Sequence, residues 1–491
     1  MLKNIDQFLE KLNSDHSQVY RLTRWGILVL ISVFFLFLRV SHLTYLSLDS
    51  DEIFSVNFSK WFTYNPLNFQ NPFDDGNPPL HFILIKFWTS VFGFSDVSLR
   101  SLPLLFFIFA YGYIYLIARD ILKLSFYQKV LLLILFGGSS VLFHYSLNIR
   151  PYILLVLTAL GTYFHVTKIL LQNEISKKNI IFGNLWMLIG LYNHYSFVIF
   201  FLSFFLTCIL FHPKKILKLI LYLLPSFLLF TPWAIRYLLS QIYPEQFGLG
   251  VSYYFWQAEE VPLTFFRWVN VVSNYLLEKQ FGNLLSIGIS FVFLVSSILS
   301  LKNNKNDPFQ KFTIIFTLIS FTIFFLTPIH QFLTIPRYSI FLIPFFYLVL
   351  SQSILLKKKY YSIFFIIVVS IFFIKNYDIP QGNEDWRGVG DYLSQATTSH
   401  SNSLILADVY YLVPVTKYYY EGKTSIGCLS QGDESGECEY STDTLEGFEY
   451  IYYVQSAWNY PYDGFLENEK IKLIDHQTFP SVNIYAFSKN D

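Results

Sequence analysis

Between Trp25 and Lys375 the apolar residues come in long, nearly unbroken stretches, with polar residues gathered in the gaps. A helix crossing a bilayer needs roughly 20 mostly apolar residues. Stretches of that kind are expected at 25–44, 98–118, 127–146, 150–170, 179–193, 195–211, 217–238, 283–301, 312–328, 337–356 and 360–376, eleven in all. Pro79 to Phe92 is apolar but short and reads as a re-entrant or interfacial helix. After Lys375 the pattern changes. "EDWRGVGDYLSQATTS" puts Trp386, Val389, Tyr392 and Leu393 on one helical face. Leu404 to Ala407 reads as a buried strand, "EYIYYVQSA" and "VNIYAFSK" as further strands, and "STDTLEGFEY" as holding a short helix. The expected fold is a polytopic α-helical membrane protein of about 11 transmembrane helices over 1–376, followed by a C-terminal extracytoplasmic α/β domain over 377–491.

Composition agrees. Of 491 residues, 53% are hydrophobic, 20% aromatic and only 14% charged. A soluble globular chain has about 25% charged residues. The net charge of +1 hides an asymmetry, because the segment 377–491 holds 18 Asp and Glu against 6 Lys and Arg. Loop cations gather at Arg21 and Arg24, at Arg119, Lys123 and Lys129, at Lys168, Lys177 and Lys178, at Lys214, Lys215 and Lys218, at Lys302, Lys305 and Lys311, and at Lys357 to Lys359. With eleven spans all six groups share the side of the N-terminus, which the positive-inside rule makes cytoplasmic. The tail then emerges on the outer face of the cell (inner) membrane. The polar first 24 residues and the long run from Trp25 predict an uncleaved first span. An acidic tail and the lack of a basic recognition motif argue against a nucleic-acid partner. Cys208 lies in an apolar run, whereas Cys428 and Cys438 flank a short polar loop that a disulfide can close outside the cytoplasm.

On the same reckoning the outer side carries Asp49, Asp51 and Glu52, in a loop spanning 45–97. It also carries His144, Arg150, Tyr152, Asn193, His194, His330, Arg337 and Tyr338. Ionisable groups at the edge of hydrocarbon are costly and mark functional cavities. Arg100 and Arg150 are the best phosphate candidates, since the planar guanidinium fork suits phosphate oxygens and stays charged in a dry site. The plain alternative for each is snorkelling to lipid head groups. A solvated loop is the plain alternative for the acids. A second external segment, 239–282, is rich in aromatic residues and reads as a lid or an interfacial anchor.

Several segments follow one order: "DE" after the first span, "NPPLHFILIKFWTSVFGFSDVSLRSLP", "NIRPYILLVLTALG", "LYNHYSFVIF", "TPW", "PRYSIFLIPFFYLVLS" and "EDWRGVGDYL". This set resembles the bacterial members of the protein O-mannosyltransferase and aminoarabinose-transferase family, within the GT-C glycosyltransferase superfamily. The resemblance implies an enzyme that takes a sugar from a polyprenyl-phosphate carrier and gives it to an acceptor outside the membrane, the acceptor being a lipid, a glycan or a protein. It maps the catalytic carboxylate onto Asp51, with Glu52 as its structural or acceptor-binding neighbour, and puts Arg337 and Tyr338 at the family's "RY" position. Tyr152 and His194 join the substrate-binding set. Some relatives carry Lys or His just before "PPL", where this chain has Asn77, and Lys86, two turns further on, is a partial substitute.

Such a reaction needs a base for the acceptor proton and fixed positive charge for the departing phosphate. It needs no covalent intermediate and no cofactor. Asp49-Ser50-Asp51 also forms a D-x-D, which would admit a divalent cation such as magnesium, calcium or manganese between Asp49 and Asp51. Two other classes compete: a polymerase or ligase acting on pyrophosphate-linked glycans, and a lipid-linked sugar transporter or flippase. A transporter should show inverted repeats and midplane charges, and none is seen here.

Overall fold

A computed structural model describes residues 17–61, 78–171, 176–242, 307–326, 336–353, 384–428, 447–456 and 471–489, apart from a few positions within these ranges and isolated residues elsewhere. The expected spans at 283–301 and 360–376, Asn77, His330, Cys438 and nearly all of the segment 239–282 lie outside them. The chain forms two compact units. One comprises Met1–Ser41, Thr63–Leu84 and Arg100–Ile379, and the other His42–Phe62, Ile85–Leu99 and Pro380–Asp491.

The first unit is helical. Its elements are α1 (Gln18–Val40), most of α4 (Asp96–Leu116, continued by a π turn over Ile117–Ile121), α5 (Phe126–Gly138), α6 (Ser140–Tyr145), α7 (Tyr152–Leu171), α8 (Lys177–Asn193), α9 (Ser196–Phe211), α10 (Ile216–Ile242), α11 (Pro308–Leu326), α12 (Pro336–Ser339) and α13 (Leu342–Ser353). Preceding α4 in the chain are α2 (Ser50–Trp61) and α3 (Leu80–Phe92). Among the described residues, four helical stretches are long and apolar enough to cross a membrane: Gln18–Val40, Asp96–Ile121, Tyr152–Leu171 and Pro213–Tyr237. Five shorter apolar helices accompany them.

Two expected spans are not continuous: 337–356 is divided between α12 and α13, and 127–146 is divided as well. The stretch 127–146 breaks at Ser139, whose extended backbone ends α5 and whose side chain accepts from the Leu142 N–H to start α6. Gly137 and Gly138 favour the break, because glycine gives up about 1 kcal/mol of helix propensity relative to alanine. Elsewhere a glycine serves packing. At Gly161 of α7 a Cβ would stand 2.6 Å from the Trp186 ring of α8, so the two helices approach as closely as a bare backbone permits.

The abundance of phenylalanine has a structural use. Tyr163 sits in a nest of Phe204, Phe312, Phe316 and Phe345, with ring centroids 5.0 to 6.1 Å away. Its hydroxyl pairs with Thr313 Oγ1 at 2.7 Å, so the only polar atom of the ring is satisfied inside the core. Aromatic pairs at such spacings contribute roughly 0.5–1.5 kcal/mol each beyond area burial.

The second unit holds a five-stranded sheet. Its tail elements are α14 (Trp386–Ser399), β1 (Ser403–Ala407), α15 (Leu412–Tyr419), β2 (Ser425–Cys428), β3 (Tyr450–Ser456), β4 (Ile471–Phe479) and β5 (Val482–Lys489). The strand order is β2-β1-β3-β5-β4. β2 and β3 run parallel to β1, while β5 is antiparallel to both β3 and β4. Of the expected apolar face of α14, Trp386, Val389 and Leu393 are buried and Tyr392 is half-buried. Cys428 is disulfide-bonded, and Cys208 is free and buried in the helical unit.

Candidate functional site

The six residues from Ser146 to Pro151, "SLNIRP", join α6 to α7 and are held by four buried polar side chains. Arg39 Nε donates to Ser146 Oγ at 3.0 Å. Arg100 Nη1 donates to the Leu147 carbonyl at 3.1 Å. His81 Nε2 donates to the Ile149 carbonyl at 3.1 Å. Asn193 Nδ2 donates to the Pro151 carbonyl at 2.9 Å. The donors come from α1, α4, α3 and α8, so four helices fix one loop. Buried backbone carbonyls demand partners, and here the partners alternate along the chain at 147, 149 and 151. Arg150 lies between the last two anchored peptides.

Around Arg150 the structure collects most of the expected substrate-binding residues. The Tyr152 and His194 ring centroids are 5.7 Å apart, those of His194 and Tyr338 6.2 Å, and those of Tyr152 and Tyr338 6.5 Å. The Arg337 guanidinium lies over the Tyr338 ring at 4.9 Å. His194 occupies the tip between α8 and α9. Burial first, and then the charges of Arg150 and Arg337, push its imidazole down to about 3. The ring is therefore neutral at physiological pH. Its Nδ1 accepts from the Ser196 N–H at 3.1 Å, which leaves the proton on Nε2. A neutral donor beside two guanidinium groups and two tyrosines suits the oxygens of a phosphate or a sugar.

Arg100 differs from Arg150 and Arg337. It is only 3% exposed and spends Nη1 on a backbone carbonyl, which makes it a support of the loop. Arg236, in the "TPW" helix α10, stacks on Trp233 at 5.3 Å. His81 and Arg39 were missed by sequence reasoning. His81 directly follows "PPL", and a lone histidine in an apolar run was the available signal.

The carboxylates belong to the second unit. Asp49 is the N-cap of α2: its carbonyl receives Ile53 N–H and its Oδ1 receives Glu52 N–H at 2.8 Å. Glu52 Oε2 in turn receives Asp49 N–H at 3.0 Å. This reciprocal pair is a capping box, and the spacing Asp49-x-x-Glu52 was its sequence signal. Glu52 is 2% exposed and committed to the cap, whereas Asp51 stands exposed on the first turn. Burial, then Glu52 and Asp51, raise the Asp49 carboxyl well above its ordinary range. Asp49 thus has a structural task within the D-x-D. Among the described residues no group of three or more His, Cys, Asp or Glu side chains could hold a metal ion. Lys86 is exposed on α3 and falls in this second unit.

Residues 76–235 match the family model of the dolichyl-phosphate-mannose-protein mannosyltransferases. That segment carries the whole anchored loop and its donors except Arg39, together with Tyr152 and His194. The resemblance read from the motifs is found again there by an independent comparison. A search of curated protein sequences returns no match. Among solved structures the chain is similar to ArnT from Cupriavidus metallidurans bound to undecaprenyl phosphate, at 11% identity and a TM-score of 0.48, covering 94% of this chain and 98% of that one. The apo state of the same protein gives 11% identity and a TM-score of 0.49, covering 95% and 98%. The Archaeoglobus fulgidus oligosaccharyltransferase in complex with zinc and sulfate gives 11% and 0.47, covering 88% and 68%. At that level of likeness nothing about substrate transfers to this chain.

Proposed function

We propose that this chain is an integral-membrane glycosyltransferase that moves a sugar from a polyprenyl-phosphate carrier to an acceptor hydroxyl on the outer face of the membrane. The observation that carries the reading is the anchored loop. Four buried donors are spent on holding Arg150 in place, beside Arg337, His194, Tyr152 and Tyr338, within the segment that matches a family named for a lipid-phosphate sugar donor.

Asp51 accepts the proton of the acceptor hydroxyl. The acceptor oxygen attacks the anomeric carbon as the bond from that carbon to the carrier phosphate breaks. The bonding pair leaves with the phosphate, and Arg150 and Arg337 meet the added negative charge. Attack opposite the leaving group inverts the anomeric centre. One essential carboxylate suffices, unlike the pair in a retaining glycosidase. The reading needs no divalent cation.

The test is transfer in liposomes from radiolabelled polyprenyl-phosphate monosaccharides to a membrane extract. Wild type should transfer label, and Asp51→Asn should not. Full transfer by a folded Asp51→Asn protein would remove Asp51 as the base. No consumption of any such donor by wild type would remove the reaction itself.

A further inference from the structure

We infer that the C-terminal segment Pro380–Asp491 is a latch on the start of α2, which shares its compact unit, with Glu384 as the positioning residue for Asp51. The inference rests on the reading of Asp51 as base for its catalytic consequence, though not for its structural part.

The contacts are specific and converge on Ser47, Leu48 and Ser50. Glu384 Oε2 accepts the backbone N–H of Ser50 at 2.8 Å, and Glu384 Oε1 accepts the Ser50 hydroxyl at 3.1 Å. The same Oε2 accepts Trp386 Nε1–H at 2.5 Å, and Trp386 is fully buried. The Glu384 carbonyl accepts the hydroxyl of Ser47 at 2.9 Å. The Leu48 N–H donates to the Tyr419 hydroxyl at 2.9 Å. That hydroxyl donates onward to Asp96 Oδ2 at 3.1 Å, which Arg387 Nη2 also reaches. Tyr418 donates to the Phe94 carbonyl at 3.3 Å.

The physical need is clear from α2 itself. A helix of 12 residues is marginal alone, and its first N–H groups have no partner within it. Glu52 N–H is taken by the Asp49 cap. Ser50 N–H, one residue before Asp51, is taken by a carboxylate 334 residues away in sequence. The tail thereby sets where the first turn of α2 begins, and hence where Asp51 points. This gives the acidic "ED" of "EDWRGVGDYL" a use that needs no contact with substrate.

Glu384→Gln separates positioning from chemistry. Its amide oxygen can replace Oε2 toward Ser50 N–H and Trp386 Nε1–H, and its amide N–H can donate to the Ser50 hydroxyl. Glu384→Asp keeps the charge and shortens the arm, and Glu384→Ala removes both. The full chain in liposomes is followed by amide exchange over α2 and by sugar transfer, with Asp51→Asn as control. Glu384→Ala and Glu384→Asp should lose α2 protection, and kcat should fall about 100-fold, as a misplaced catalytic group costs. Donor KM should stay near wild type. Glu384→Gln should keep α2 protection and hold kcat within about threefold, because its hydrogen bonds persist. Wild-type exchange and kcat in Glu384→Ala, with Asp51→Asn inactive, would overturn the latch. A Glu384→Gln protein as inactive as Glu384→Ala, with α2 protection intact, would overturn positioning in favour of a chemical need for the carboxylate. An active Asp51→Asn would instead sink the base assignment, and the exchange arm would still decide the latch. If Glu384→Ala fails to fold, the contrast of Gln and Asp carries the same decision.

Discussion

His81 donates its Nε2–H to the backbone carbonyl of Ile149 across 3.1 Å, so a side chain in the first turn of α3 fixes the peptide that precedes Arg150. The ring is 3% exposed. Removing it deletes a buried hydrogen bond, which contributes about 0.5–1.5 kcal/mol. His81→Ala should therefore lower thermal stability by that amount and lower sugar transfer as Arg150 loses its support. His81→Asn, whose amide N–H can reach the same carbonyl, should recover most of both. Thermal melts in detergent and transfer assays on the two variants check this. An alanine variant of wild-type stability would show that the contact does not hold the loop.

The two aspartates of the D-x-D should separate by variant. Asp51→Asn should reduce transfer by about 10²–10⁴-fold, the usual weight of a general base. Asp49→Ala deletes the helix cap and should cost roughly 0.5–2 kcal/mol of stability, with transfer falling only as far as α2 frays. Chelator should leave wild-type transfer unchanged. Equal loss in both variants together with chelator sensitivity would instead point to a cation held by both carboxylates.

The long helices of the first unit were legible because membrane spans announce themselves by apolar length alone. What the pattern hid was local chemistry. The break at Ser139 depends on a side chain capping its own helix, and hydropathy does not see caps. The helix α2 was read as loop because its buried face is Glu52, Ile53, Ser55, Val56 and Ser59, more than half polar. β4 was missed because its residues are largely exposed, so no alternation marks it. Arg150, Tyr152, His194, Arg337 and Tyr338 could be nominated as chemically suitable, and the structure gathers them. That Arg100 would spend itself on a carbonyl, and that His81 would join it, are contacts between residues 47 and 68 positions apart. No local pattern encodes such contacts.

Asp49 also gives stability a pH dependence. Its carboxyl is raised by burial first and then by Glu52 and Asp51, whereas in the unfolded chain it titrates near about 3.9. The folded state then binds the proton more tightly. The stabilisation that this supplies is complete below the unfolded value and is lost as pH rises through the folded one. Asp49→Asn keeps an oxygen for the Glu52 N–H and removes the titration. The melting temperature of the variant minus that of wild type should therefore climb as pH rises above about 4, the unfolded value. A difference that stays flat would mean that the carboxyl titrates alike in both states.

Arg150→Lys tests whether the anchored loop presents a fork or only a charge. Lysine keeps the positive charge and loses the planar pair of donors that grips phosphate oxygens. Charge-assisted hydrogen bonds are worth about 1.5–3 kcal/mol each, so losing one good geometry should reduce transfer roughly 10–100-fold at subsaturating donor. Stability should barely change, because the loop is held through the carbonyls of Leu147, Ile149 and Pro151. Arg337→Lys should act in the same direction, and it also alters the stacking on Tyr338. Kinetics against varied donor, with melts run in parallel, decide it. If Arg150→Lys transferred as well as wild type while Arg150→Ala did not, the site would be reading charge alone, and bidentate recognition of the carrier phosphate would have to be given up.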